Sequence, residues 1–138
     1  MKRIALLFLA MAFVLCAVPG YAQDKDIPNL VGTWQSTGSL HFKEHGFQPK
    51  MDKAAEYIVK DQNGRIFHGV MIVHRPMNKM QDQFSGVIAR DNKSFYIAGH
   101  AEGVHFGSID GPDDATIYYL FPGGKQPRAG YGELKRVK

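Results

Sequence analysis

From Val31 to the C-terminus apolar and polar residues alternate with a period of two rather than 3.6. The alternation predicts strands over 31–38, 54–60, 65–75, 83–90, 94–101, 104–110, 115–121 and 129–137, all rich in Val, Ile, Phe, Tyr and Thr. Turn residues separate them. Asn63-Gly64 is a strong hairpin signal, because a type I′ turn needs positive φ at both central positions. Asp91-Asn92-Lys93, Glu102-Gly103, Gly111-Pro112-Asp113-Asp114 and Pro122-Gly123-Gly124 mark further short connections. Short connections make neighbours antiparallel, and a twisted meander of eight strands removes its edges by closing on itself. The expected fold is therefore all-β: an eight-stranded up-and-down antiparallel barrel.

Two segments fit this pattern less well. Residues 39–53, with His41, Phe42, His45, Phe47 and Pro49, are too many for a tight turn. They read as an extension of the first hairpin or a loop over a barrel mouth, with Ala54, Ala55 and Glu56 also allowing a short helix over 51–57. Residues 76–82 form a second long connection, in which Met77 and Met80 with Phe84 cap a barrel end or cover apolar surface.

The N-terminus carries a different signal. Lys2 and Arg3 precede an apolar run from Ile4 to Val18, and Gly20-Tyr21-Ala22 presents small residues where a signal peptidase reads. The run is shorter than the roughly 20 residues a spanning helix needs. A leader over 1–22, a loose polar arm over 23–29 and one domain over 30–138 follow. Leu15 occupies the position before Cys16 where lipoprotein processing wants a small residue, so Cys16 leaves with the leader. The remaining 116 residues hold no cysteine, which excludes a disulfide framework and thiol chemistry. The expected location is the periplasm or beyond, with no transmembrane segment after cleavage.

Removing Lys2 and Arg3 lowers the formal charge from +4 to +2, and the remaining basic residues are interspersed with acids. No basic stripe with interleaved aromatics is present, so a nucleic-acid partner is not expected.

Around Asn29-Leu30-Val31-Gly32-Thr33-Trp34 the chain resembles the calycin superfamily, which includes lipocalins, fatty-acid-binding proteins and avidin-like barrels. The resemblance implies that Gly32 and Trp34 close one barrel end, with Arg136 from the last strand packed over the indole. An indole is large enough to plug a barrel, and a guanidinium can stack on it while donating to nearby carbonyls. Avidins line their pocket with several tryptophans, whereas Trp34 is the only one here, so biotin binding does not carry over.

Candidate sites come from the aromatic and histidine residues. Tyr96, Tyr118 and Tyr131, with His68, are expected to give a lumen an apolar wall with polar handles, the usual make-up of a small-ligand pocket. Of Tyr118 and Tyr119, one ring must face in and the other out. If Glu102-Gly103 is a two-residue turn, His100 faces His105 on the face of Tyr96. That pair supplies half of a zinc site, needing a third ligand from Glu102, His41 or His45. His68 and His74 sit too far apart on one strand to share a metal. No motif for nucleophilic, metal-dependent, phosphate-binding or dinucleotide chemistry occurs. The sequence thus reads as an exported, non-enzymatic barrel binding a small, partly apolar ligand at its mouth. The alternative is an inhibitor or envelope accessory protein with a filled barrel, and lumen volume separates the two.

Overall fold

A computed structural model describes residues 27–74, 79–101, 103–124 and 126–138. The expected leader, Met77 and Glu102 lie outside the described residues. Among the described residues nine strands form one antiparallel sheet: β1 (Gly32–Phe42), β2 (Gly46–Phe47), β3 (Met51–Asn63), β4 (Ile66–His74), β5 (Lys79–Ile88), β6 (Ser94–Gly99), β7 (Val104–Ile109), β8 (Asp114–Phe121) and β9 (Arg128–Arg136). Strands β3 to β9 pair in chain order, while β1 pairs with both β3 and β9 and so closes an eight-stranded up-and-down barrel. The two-residue β2 is a spur on the far end of β1. Residues 39–53 thus extend the first hairpin. The helix considered over 51–57 is instead the start of β3, whose Ala55, Tyr57 and Val59 point inward at period two.

The first tight turn falls one residue later than expected. Asn63 pairs with Ile66, leaving Gly64-Arg65 as the connection, and only Gly64 has positive φ, at 56°. Positive φ at the first central position alone is the type II′ pattern.

The closed end is built around Trp34. Its indole is buried, and its Nε1–H donates to the Leu30 carbonyl at 2.9 Å. The Arg136 guanidinium lies 4.2 Å from the indole centroid and donates to Val31 O at 2.7 Å and Asn29 O at 2.8 Å. Gly32 makes this possible. Its φ is +132°, and a Cβ there would stand 3.1 Å from Arg136 Nη1. The three residues expected at barrel closure thus meet there.

Packing inside follows one device. Phe67 faces Gly86, Phe84 faces Gly69 and Phe95 faces Gly107 in the strand register. A Cβ on any of these glycines would come within 3.0 Å of the opposing ring. Each ring occupies the volume its partner leaves empty. The core bounded by Trp34, Tyr57, Phe67, Phe84, Phe95 and Leu134 consequently encloses a void of only about 30 Å³.

Candidate functional site

Toward the other end, β3, β5, β7 and β8 bring Tyr57, Asp82, His105 and Tyr119 together. His105 is 3% exposed. Its Nδ1 shares a 3.0 Å hydrogen bond with the Tyr57 hydroxyl, and its ring lies 4.7 Å from that of Tyr119, tilted by 31°. Its Nε2 is buried without a hydrogen-bond partner. Burial lowers the imidazole pKa to about 4, against the opposing pull of the Asp82 carboxylate. Burial likewise raises the Tyr57 phenol, helped by Tyr119. Both side chains are therefore neutral near pH 7. Asp82, also buried, accepts the Ala101 N–H with both carboxylate oxygens at 3.1 Å.

The rim above this cluster is aromatic and cationic. The Arg128 guanidinium carbon lies 4.4 Å from the Phe121 centroid, 5.6 Å from Tyr119 and 5.9 Å from Phe42. The void bordering Tyr57 is about 30 Å³, room for about one water, against the roughly 300 to 1,000 Å³ of small-molecule sites. Chemically, the cluster holds a neutral imidazole in place.

The outer wall is where large apolar groups meet solvent. Ile66, Val87, Tyr96, Phe106, Tyr118 and Tyr131 are successive directly opposed partners across β4 to β9. Inward and outward residues alternate along a strand, so one register row keeps all six on the same side. Phe106 and Tyr118 stack at 5.3 Å, and Tyr131 follows at 5.6 Å. A second row, Ser85, Ala98, Val104, Leu120 and Ala129, runs beside it without a charge. Between the rows lies a groove of about 440 Å³, lined by Ile66, Val87, Tyr96, Val104 and Phe106.

The expected site residues therefore part company. Tyr96, Tyr118 and Tyr131 are 53%, 41% and 51% exposed, and with exposed His68 they stand on the outer wall rather than in the lumen. The tyrosines facing in are Tyr57 and Tyr119. His100 and His105 do not pair either. Ile97 opposes His105 and Ala98 opposes Val104, with Gly99 N–H donating to Gly103 O, so the β6–β7 connection is wider than a two-residue turn. His105 points inward, while exposed His100 bonds Ser85 on the outside at 3.0 Å. That removes the geometric basis of the zinc site, and no group of three or more metal-ligating side chains occurs among the described residues. His41 packs on Phe47, and His45 meets Gln126 at the spur. His74 is half-buried, 3.7 Å from Glu56.

Sequence reasoning passed over Tyr57, Asp82 and Arg128. The available signal was parity: Tyr57 alternates with Ala55 and Val59, and Asp82 with Phe84.

Together these features define a small, closed antiparallel β-barrel with a packed core and an apolar outer wall. No family model and no curated protein matches the chain. Among solved structures it is similar to a redesigned β-barrel, with a TM-score of 0.56 and 11% identity over 83% of this chain and 95% of that one. At that identity the likeness concerns the fold alone.

Proposed function

We propose that this chain is an exported interaction module, acting in the periplasm or beyond, whose barrel is a filled support and whose outer wall docks another protein of the envelope. The observation that carries this reading is the contrast between a lumen void of about 30 Å³ and an in-register apolar row across six strands outside. Contiguous exposed apolar surface beyond a few hundred Å² marks interaction sites. A small ligand in the lumen is disfavoured by the same contrast.

Site-specific photocrosslinking in exporting cells tests this. A benzophenone side chain in place of Tyr118 is expected to give a discrete adduct, and one in place of Lys60, on the opposite wall, is not. No adduct from position 118, or the same pattern from both positions, would sink the reading.

A further inference from the structure

We infer that Asn63 is a modification site: it is where the folded chain first loses a side-chain amide, by attack of the Gly64 backbone nitrogen, and the product unfastens the N-terminal arm from the β3–β4 hairpin. Asn63 ends β3, is exposed, and is followed by Gly64 at the first position of the turn. Loss of the amide requires the nitrogen of the next residue to reach Cγ, so the best neighbour has no side chain and an N–H that nothing else holds. Gly64 meets both conditions. Among the described residues its N–H donates to no acceptor, the Asn63 carboxamide makes no hydrogen bond, and a Cβ at Gly64 would meet nothing within 4 Å.

The comparable positions are tied down. After Asn29, Leu30 N–H donates to Gln62 Oε1 at 2.8 Å; after Asn92, Lys93 N–H donates to Asp91 Oδ1 at 2.9 Å. At Asp110-Gly111, Gly111 N–H donates to Asp114 O at 3.0 Å, while Ser108 and Thr116 hold the Asp110 carboxylate. Asn78 lies outside the described residues and precedes Lys79, which carries a side chain.

The hairpin itself sets the pace. Asn63 is extended and paired with Ile66, which turns the Gly64 nitrogen away from Cγ, so ring closure waits for the turn to open. Gln62 resists that opening. Its Nε2 donates to Gly64 O at 2.9 Å and to Pro28 O at 2.8 Å, and its Oε1 accepts the Leu30 N–H, so one side chain fastens the turn to the arm.

When the turn opens, hydroxide takes the Gly64 N–H proton and the nitrogen bonds to Asn63 Cγ. The Cγ–Nδ2 bond breaks, and ammonia leaves from a five-membered succinimide. Water then opens the ring. Cleavage between the ring nitrogen and Cγ gives aspartate, and cleavage between that nitrogen and the main-chain carbonyl carbon gives isoaspartate, whose backbone runs through Cγ. The second product lengthens the turn by one carbon and draws Gly64 O away from Gln62. The arm it loosens belongs to the closed end, because Leu30 O accepts the Trp34 indole N–H.

Ageing the purified protein at mildly alkaline pH, followed by peptide mapping, tests this. The peptide holding Asn63 should gain about 1 Da before any other asparagine peptide does. Gly64→Ala should slow the gain by at least about tenfold by crowding the attack. Gln62→Ala should speed it by at least about fivefold in the folded protein, the scale of one lost hydrogen bond, and leave it unchanged in urea. Near-ultraviolet circular dichroism reports whether each variant is folded. In the isoaspartate form, separated by anion exchange, the Leu30 amide should exchange its hydrogen at least about fivefold faster than in the parent. Another asparagine converting first in the native protein, a folded Gln62→Ala variant with the parent's rate, or unchanged exchange at Leu30 overturns the inference.

Discussion

His105 makes the stability of the fold depend on pH. An imidazole in the unfolded chain titrates near 6.5, while burial holds this one at about 4 in the fold. Below pH 6.5 the unfolded state takes up a proton that the native state refuses, so the stabilising contribution is complete above 6.5 and is lost progressively down to about pH 4. One pKa unit corresponds to about 1.4 kcal/mol, which makes the full loss about 3 kcal/mol and the loss at pH 5 about 2 kcal/mol. For a domain of this size the latter lowers Tm by about 10 °C. Asp91 and Asp110 are held low by hydrogen bonds, chiefly from Ser94 and Thr116 respectively, so their contributions fall away at lower pH. The assay is urea unfolding at pH values from 8 to 4.5, comparing wild type with His105→Gln, which keeps a polar partner for Tyr57 but does not titrate. The variant should be less stable at pH 8 and should lose most of the slope between pH 6.5 and 4.5. An unchanged slope in the variant, or a flat wild-type profile, would refute the argument.

Four further substitutions test how the barrel is built, each measured as the urea unfolding free energy at pH 8. Gly69→Ala should cost about 3 kcal/mol or more, since its Cβ would fall 1.9 Å from the Ile58 carbonyl oxygen and 2.9 Å from the Phe84 ring. Gly64→Ala, in open space at φ +56°, should cost only about 1 kcal/mol. At the closed end, Trp34→Ala should cost about 3 to 5 kcal/mol through the cavity it leaves. Arg136→Lys keeps the charge but loses the forked donation to Val31 and Asn29, and should cost about 1 to 2 kcal/mol.

The strands could be read from the sequence because alternation and turn chemistry are local properties. The closed end could be read because Gly32-x-Trp34 is a short local motif, and the family resemblance it carries implies Arg136 from the last strand as its partner. Inside and outside were harder. On β4 the sets Phe67, Met71, Val73 and His68, Val70, Ile72 are both apolar, so composition does not choose between the faces. A two-residue turn at Glu102-Gly103 sets His100 opposite His105, whereas the pairing of Ala98 with Val104 and the Gly99 N–H bond to Gly103 O shift the register by three and set Ile97 there instead. In a hairpin, turn type and loop length together decide which residues meet.

A parity signal was nonetheless present in the pairs Phe67-x-Gly69 and Phe84-x-Gly86. On one strand, residues two apart share a face, so each Phe and its Gly point the same way. On antiparallel neighbours the two pairs run in opposite directions, so each Phe can stand over the other strand's Gly, as the register shows. Such interlocking matters most on the crowded side of the sheet, where neighbouring rings compete for the same volume. It therefore assigns Phe67 and Phe84 to the lumen and, by alternation, puts Ile66, His68, Ser85 and Val87 outside. The residues that fill the barrel thus also determine which apolar side chains face outward. A lumen packed by interlocking rings leaves the outer row, rather than an interior pocket, as the surface available for recognition.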